Sequence, residues 1–436
     1  MGVKPYSQIN DPLYGQISLD DWEREIFMLP EVQRLRDIKH LGLTYLVYPC
    51  AKYNRLEHTL GTLFLAKRFL KYLSPNYPQI SVYRIHAAIL LHDIGQGPFS
   101  QAYRDVLTRN RDQLTKGHQS IKQRTLRMIQ TGHLRTRLTK IIRHAWAADK
   151  SDAENELNEI CSILAAFDFK NPYWGVIFGP LGLDRLEYYQ RDARYSGVLM
   201  GKVDVADIYR EASIFEEDGL HKPCVGMDAI ASVESVVVTR THLYSRVYSH
   251  PINRVAQTML VRAVESHAKT QPHALRELAD KVDGELLFIL RNSKDYIAKQ
   301  IANRITQNQL YSRPKLLRLG DFDNKTQEQI QASGDRFANK ARDLEDKVSN
   351  RLGARYGEII LDIDRPNVRP ELEKICILRN GTPTPFSEIS PYSDAAAIAE
   401  LRHWIFGIYH SQNFQSKDVL RNAEQVFKEE GIAIPL

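Results

Sequence analysis

Apolar residues recur at helical spacing through most of the first 320 residues. Apolar side chains at positions 85, 88 and 89 occupy the i, i+3 and i+4 places of one such stripe, and His92 takes the i+7 place. The pattern stops at Gly95, so we predict that the helix ends there. Asp93 then lies in the last helical turn, where the helix dipole disfavours an anion. A cation beside Asp93 would resolve this conflict.

The character of the chain changes after Gly320. Residues 324–356 are rich in charged and amide side chains and predict a long polar helix. Two short β-like runs and two terminal helices follow, at residues 358–363, 374–378, 395–409 and 419–430. We therefore predict a mainly α-helical protein, with a helical core over residues 1–320 and a smaller α+β subdomain over residues 321–436.

Composition narrows the class of protein only modestly. The chain carries 59 basic and 53 acidic side chains, a formal charge of +6, which fits a polyanionic ligand but is also ordinary for a surface. No apolar run has the length of a signal peptide or a membrane span. The cysteines are far apart and form no CxxC pair, so we expect reduced thiols in a cytoplasmic protein that does not associate with membranes. They are Cys50, Cys161, Cys224 and Cys376.

Four side chains in helical, apolar contexts carry the most chemical information. They are His58, His92, Asp93 and Asp184. A single buried histidine is more often an ordinary core residue, but two imidazoles and two carboxylates together suit a divalent metal that keeps open positions for water and phosphate oxygen. Asp184, Tyr188 and Asp192 are also spaced i, i+4 and i+8, which places all three on one stripe of a helix.

The segments around these residues resemble the HD-domain phosphohydrolases. The likeness is to the branch that contains the dNTP triphosphohydrolases with a SAM and an HD domain, and it extends from about residue 9 to residue 319. It rests on the motifs at residues 9–17, 33–42, 54–61, 86–100, 181–192 and 239–248. The resemblance implies an HD-domain helical core, the four metal ligands, a nucleotide substrate and a homo-oligomer whose contacts involve the C-terminal region. The metal would be Mn, Fe, Ni, Co, Zn or Mg.

The same resemblance assigns residues to the substrate. Arginines would bind phosphate, because guanidinium groups match phosphate oxygens in pairs. Asp192 would contact a sugar hydroxyl, and Tyr248 would crowd the sugar C2′ and exclude ribose. Tyr244 stands where the family often has histidine. The candidate substrate-binding residues are His40, Arg55, Arg185, Tyr188, Asp192, Arg240, Tyr244, Arg246 and Tyr248.

The sequence also departs from the family pattern H-D-x-G-H-G-P-F-S-H. Gln96 and Gln101 replace the two later histidines, and Gln101 stands where the family has a general acid. Glutamine donates a hydrogen bond but cannot deliver a proton. Arg104 occupies the place of the carboxylate that orients this acid, and His118 matches another active-site histidine. We therefore take Asp93, Gln101 and His118 as catalytic candidates.

These observations predict a metal-dependent phosphohydrolase that acts on a (deoxy)nucleoside triphosphate. Attack of water on the α-phosphorus would release nucleoside and triphosphate. A phosphodiesterase or nuclease with the same metal site is a first alternative, although nothing in the sequence points to a nucleic-acid partner. A nucleotide sensor without catalytic activity is a second. Met28 stands where the family has a carboxylate that reads guanine, which argues against activation by a guanine nucleotide.

Overall fold

Helices dominate the computed structural model, which describes residues 8–73, 79–115, 117–199, 203–271, 273–322, 324–363 and 372–432. The first half of the chain contains helices α1 to α11. Their bounds are α1 Asp21–Phe27, α2 Pro30–Gln33, α3 Arg55–Phe69, α4 Gln79–Leu91, α5 Gln101–Arg109, α6 Ile121–Gln130, α7 Gly132–Ala145, α8 Lys150–Ala165, α9 Pro172–Phe178, α10 Leu183–Ser196 and α11 Val205–Arg210. The prediction of a mainly α-helical fold is confirmed.

The second half adds further helices and most of the strands. The helices are α12 Ile230–Leu243, α13 Pro251–Thr270, α14 Ala274–Glu277, α15 Asp283–Arg291, α16 Tyr296–Thr306, α17 Asn324–Leu352, α18 Tyr392–Arg402 and α19 Ser416–Glu429, and a π-helical turn spans Tyr244–Tyr248. The strands are β1 Gln8–Asp11, β2 Gly15–Ser18, β3 Ala212–Glu217, β4 Leu220–Gly226, β5 Ser312–Arg318, β6 Ile359–Ile363, β7 Cys376–Arg379, β8 Thr382–Pro385 and β9 Ile405–His410.

The three helices that carry the predicted metal ligands pack together in the main core. The buried side chains of Leu63, Ile89 and Leu186 belong to one apolar cluster that joins α3, α4 and α10. The side chain of Asn54 caps α3, because its oxygen accepts a hydrogen bond from the backbone of Glu57 at 3.0 Å. This packing fixes the ligand-bearing faces of the three helices toward one another.

The strands form a β1–β2 hairpin and two small sheets that connect the helical body to the C-terminal region. One sheet has the order β3-β4-β7-β8, and the other has the order β5-β9-β6. In the first, β4 and β7 are parallel; in the second, β9 is antiparallel to both neighbours. Each sheet therefore contains strands from both sides of residue 320, and the division of the chain at that residue stays a prediction.

Two sequence-based predictions are wrong, one about a helix in the C-terminal region and one about the cysteines. Residues 405–409 were expected within a helix over residues 395–409, but they belong to the central strand β9, in which all six residues are buried. A short, mostly apolar run is compatible with a buried strand as well as with a helix, and its pairing with a strand on each edge makes this segment a strand. Cys224 and Cys376, expected as free thiols, form a disulfide, since they are direct partners across the β4–β7 pair. Cys50 and Cys161 are free.

No described helix combines the length and the apolar character needed to cross a membrane.

Candidate active site

The four predicted metal ligands lie close together, and three of them form a group that could hold a metal ion. His58 comes from α3, Asp184 from the first turn of α10, and His92 and Asp93 from the turn that follows α4. The Nε2 atom of His58 lies 3.0 Å from Oδ1 of Asp184, and Nε2 of His92 lies 3.4 Å from the same oxygen and 3.5 Å from Oδ2 of Asp93. Ligand atoms of His58, His92 and Asp93 all lie within 4.8 Å of one another.

The hydrogen bonds of both imidazoles leave Nε2 for a cation. His58 donates from Nδ1 to Glu187 Oε2 at 2.5 Å, and His92 donates from Nδ1 to the carbonyl of Ile89 at 2.6 Å. The remaining Nε2 atoms then face carboxylate oxygens, which are acceptors too. The Nε2 atom of His92 is buried and has no hydrogen-bond partner among the described residues. Lone pairs that face one another around a buried point fit a divalent metal.

The hydroxyl of Thr125 fixes the turn that carries His92 and Asp93 through two hydrogen bonds. Helix α4 ends at Leu91, four residues earlier than predicted, so Asp93 lies beyond the last helical turn. The hydroxyl of Thr125 donates to the carbonyl of His92 at 3.1 Å and accepts from the backbone of Gly95 at 3.2 Å. A Cβ at Gly95 would lie 2.5 Å from the backbone nitrogen of Thr125, which explains the glycine.

Asp93 is kept ionised by its neighbours. Arg55 donates to Oδ2 of Asp93 at 2.9 Å, and Gln96 donates to Oδ1 at 3.0 Å. Burial alone would raise the pKa of Asp93, but Arg55, His92 and His58 outweigh it and hold that pKa well below its ordinary value. Arg55 also donates from Nε to the hydroxyl of Ser100 at 2.9 Å. Its side chain lines the cleft beside the metal site.

A cleft of about 530 Å³ opens over the metal site. The stripe of Asp184, Tyr188 and Asp192 runs along one wall, as the spacing predicts. Among the predicted substrate-binding and catalytic residues, those that line the cleft are His40, Arg55, Asp93, Gln101, Arg185, Tyr188, Asp192, Tyr244 and Tyr248. The volume is that of an ordinary small-molecule site.

Asp192 forms a rigid polar group deep in this cleft. The Tyr248 hydroxyl donates to Oδ2 of Asp192 at 2.5 Å, and the Tyr53 hydroxyl donates to Oδ1. Burial raises the pKa of Asp192 to about 6 even though both hydrogen bonds act in the opposite direction. His40 stacks on Tyr53, with ring centroids 5.1 Å apart, and also contacts His58 edge-on at 4.6 Å.

Three predicted site residues lie elsewhere. Arg240 is buried in an ion pair with Glu400 of α18, and it is not among the described residues that line the cleft. Arg246 is exposed. His118 contacts Thr115, with Nδ1 3.2 Å from the hydroxyl oxygen, and burial together with Arg127 and Arg124 lowers its pKa. None of the three is among the described residues that line this cleft, and their predicted roles stay predictions.

The structure also reveals site residues that the sequence analysis missed. Glu187, which orients His58, is fully buried three residues after Asp184 on α10. Asp105 accepts hydrogen bonds from Gln101 at 2.9 Å and from Gln257 at 2.5 Å. Arg104 stands at the family position of the orienting carboxylate, and Asp105, the next residue, is the carboxylate that contacts Gln101. Glu187 lies three residues after Asp184, and Asp105 lies four residues after Gln101. Helical spacing from these predicted site residues is therefore the signal that could have identified both acids in the sequence.

A last group of missed residues connects the cleft to the C-terminal region. Asn253, Arg254 and Gln257 line the cleft from α13. Arg254 forms a two-point ion pair with Asp362 of β6, with contacts of 2.5 and 3.0 Å. Pairs 108 residues apart in sequence cannot be inferred from local spacing.

The comparisons with known proteins agree with this geometry. Residues 55–165 match the HD domain, and residues 203–431 match the HD associated region. The chain belongs to the HD-domain family. The resemblance inferred from the motifs is thereby confirmed, and HD-domain membership supports a phosphohydrolase that binds a divalent metal.

Several relatives match different shares of this chain. An uncharacterized protein of Methanocaldococcus jannaschii is 31% identical over 92% of this chain and 78% of its own length. The deoxynucleoside triphosphate triphosphohydrolase SAMHD1 of Danio rerio is 25% identical over 63% of this chain, and that of Gallus gallus is 23% identical over 69%. The chain covers 46% and 55% of those two enzymes, about half their length. A hypothetical protein from Aquifex aeolicus has the same fold, with a TM-score of 0.69 over 95% of this chain and 98% of that one, at 20% identity.

Proposed function

We propose that this HD-domain protein hydrolyses (deoxy)nucleoside triphosphates to nucleoside and inorganic triphosphate. The observation that carries the proposal is a single cleft in which the convergent metal ligands, the stripe of Asp184, Tyr188 and Asp192, and several arginines meet. The triphosphohydrolase relatives support this choice of substrate.

His58, His92, Asp93 and Asp184 would hold the ion. A divalent metal bound there supplies a Lewis acid for a phosphoryl oxygen and lowers the pKa of water. We propose that the ion is Mn, Fe, Ni, Co, Zn or Mg. The two imidazole ligands favour the softer ions of this set over Mg.

The cleft's own residues would position the nucleotide. Arg104 and Arg185 line the cleft and offer guanidinium groups to the phosphates. Asp192 is fixed by two tyrosine hydroxyls and faces the cleft as the group for a sugar hydroxyl. The ring of Tyr248 adjoins the same carboxylate and limits the room at the sugar.

Gln101 provides no proton for the leaving group. Its amide donates to Asp105, and it cannot give a proton to a leaving oxygen. Loss of one general acid typically costs 10²- to 10⁴-fold in rate, which is small beside a full enzymatic acceleration. We therefore propose a slower enzyme rather than an inactive one.

Metal analysis followed by chromatographic identification of products tests the function. We expect about one bound divalent ion per chain and release of inorganic triphosphate from a panel of dNTPs. Release of nucleoside monophosphate would instead identify a phosphodiester- or pyrophosphate-cleaving enzyme. Bound metal with no turnover of any nucleotide would identify the sensor. The His92→Ala variant serves as the control for contaminating phosphatases.

A further inference from the structure

Outside the nucleotide cleft, two arginines hold the turn at residues 92–96, which carries two of the predicted metal ligands. Arg124 of α6 donates from Nε to the carbonyl of Gly95 at 3.0 Å, and Arg34 donates from Nη2 to the carbonyl of Gln96 at 2.6 Å. Neither arginine is among the described residues that line the cleft. The nucleotide site therefore does not account for their other N–H groups.

The two guanidinium groups also meet at Asp280. The Nε atom of Arg34 donates to the carbonyl of Asp280 at 2.9 Å, and Nη2 of Arg124 donates to Oδ1 at 2.7 Å. The Nη1 atoms of both arginines are buried without a hydrogen-bond partner among the described residues, and so is Nε of Arg127. A buried donor without a partner costs about 1–3 kcal/mol, so these three nitrogens favour a further acceptor.

More positive charge surrounds the same point. Arg127 lies three residues after Arg124 on α6, so the two side chains are neighbours on the helix surface. Burial, Arg127 and Arg124 lower the pKa of His118, and Arg276 adds to this effect. Burial and Arg124 lower the pKa of Arg34 to about 10. Because each group responds to the charge of another, we treat these five side chains as one unit and call it the arginine cluster.

The carboxylates of the region neutralise only part of this charge. Asp283 pairs with Lys39 at 3.2 Å, and Glu285 accepts a hydrogen bond from a backbone amide at the start of α15 at 3.0 Å. Among the described residues, the salt bridge that joins the cluster to a carboxylate is Arg124–Asp280, at 2.7 Å. The Asp280 side chain is 56% exposed, so it can turn into solvent and give up this contact at little cost.

We propose that the arginine cluster binds a phosphate group, which takes the place of the Asp280 carboxylate. A phosphate group offers more acceptor oxygens and more negative charge than one carboxylate, and guanidinium groups bind phosphate oxygens through short, charge-assisted hydrogen bonds. Arg124, which is 1% exposed, gives the site a fixed donor. This inference goes beyond the proposed function and requires neither turnover nor a triphosphate substrate.

Calorimetric titration of the metal-free protein with inorganic phosphate tests the site. All proteins carry Arg185→Gln, which removes a guanidinium group from the cleft and so reduces binding there. Arg127→Gln should weaken phosphate binding roughly 10- to 150-fold, the value of one hydrogen bond to a charged group. Asp280→Asn should strengthen it, because the amide competes less well than the carboxylate for the arginines.

Arg137→Gln is the matched control, because Arg137 is exposed on α7, and it should leave the affinity unchanged. Thymidine monophosphate, titrated into the same proteins, identifies the source of the phosphate group. Tighter binding than inorganic phosphate, with the same response to Arg127→Gln and Asp280→Asn, would indicate a nucleotide; a response of inorganic phosphate alone would indicate a free anion. Phosphate affinities of Arg127→Gln and Asp280→Asn that equal that of Arg137→Gln overturn the inference, whatever the protein hydrolyses.

Discussion

The Oε2 atom of Glu187 lies 2.5 Å from Nδ1 of His58, and both side chains are buried. This contact fixes the tautomer of His58 and keeps Nε2 directed at the metal position. We expect Glu187→Gln to weaken divalent-metal affinity about 10- to 100-fold, because an amide cannot support the imidazole as a carboxylate does. Titration of the metal-free protein with Mn²⁺ measures the change.

Glu156→Gln is a matched control for this prediction. Glu156 accepts hydrogen bonds from an arginine, Arg84, as Glu187 does from Arg191, but it lies on α8, which carries no predicted metal ligand. Metal affinity should be unchanged in this variant. A folded Glu187→Gln protein with wild-type affinity would show that Glu187 serves only to pair with Arg191, which it contacts at 2.6 Å.

Removal of a metal ligand should abolish hydrolysis. Loss of His92 and loss of Asp93 should, however, destabilise the fold to different extents. His92→Ala removes a ligand whose other nitrogen is bonded only to a backbone carbonyl. Asp93→Ala also leaves the buried Arg55 without its ion-pair partner, which costs about 3–5 kcal/mol of stability. We expect both variants to lose metal and turnover, and Asp93→Ala alone to unfold at clearly lower urea concentration. Near wild-type turnover by a folded, metal-depleted His92→Ala protein would rule out the metal mechanism.

Local periodicity predicted the parts of the site that depend on one helix or one turn. Asp184, Tyr188 and Asp192 follow from i+4 spacing, and the structure places all three in the cleft. The partners of Arg240 and Arg254 could not be predicted, because Glu400 and Asp362 lie 160 and 108 residues away in sequence. The homo-oligomer stays a prediction.

The errors in secondary structure and in cysteine chemistry have the same origin. Strand β9 is a mostly apolar run of six residues that becomes a strand through its pairing with β5 and β6, and neither of these is its neighbour in sequence. The Cys224–Cys376 bond spans 152 residues and depends on the register of β4 with β7. Pairing between distant strands is a tertiary property that local spacing does not contain.

Tyr248 should contribute to discrimination against ribonucleotides. Its ring lines the cleft, and its hydroxyl donates to Asp192, the proposed partner of the sugar. We expect Tyr248→Ala to narrow the ratio of dNTP to NTP turnover, because it opens room beside C2′. Tyr248→Phe keeps the ring and should retain most of the ratio. Equal turnover of both sugar types by the unmodified protein would remove the basis for this role.

Asp192 should make stability depend on pH. Burial raises its folded-state pKa to about 6 from an ordinary value of 3.8. A raised carboxyl pKa favours the folded state while the group is protonated, so this contribution is complete below about pH 4 and is lost as pH rises through 6. Relative to Asp192→Asn, the wild-type free energy of unfolding should fall by about 2 kcal/mol between pH 4 and pH 7. Urea denaturation of both proteins across this range measures it, and a constant difference would contradict the shifted pKa.

Gln101 should be the position at which proton donation can be restored. Its amide lies 2.9 Å from Asp105, so an imidazole placed there has a carboxylate within reach to orient it. We expect Gln101→His to raise the rate for a poor leaving group such as a nucleoside 5′-oxygen, by at most 10²- to 10⁴-fold, and to change little for p-nitrophenyl esters, whose leaving oxygen needs no proton.

The double variant Gln101→His with Asp105→Asn tests whether an imidazole at position 101 must be oriented by the Asp105 carboxylate. It should lose most of the gain on the nucleoside ester, while the rate on the p-nitrophenyl ester stays the same. His118 lies outside the residues that line the cleft, so His118→Ala in the same background should leave the gain intact. If Gln101→His leaves both rates unchanged in a folded protein, position 101 is not the missing acid, and the altered motif reflects a substrate whose leaving oxygen needs no proton.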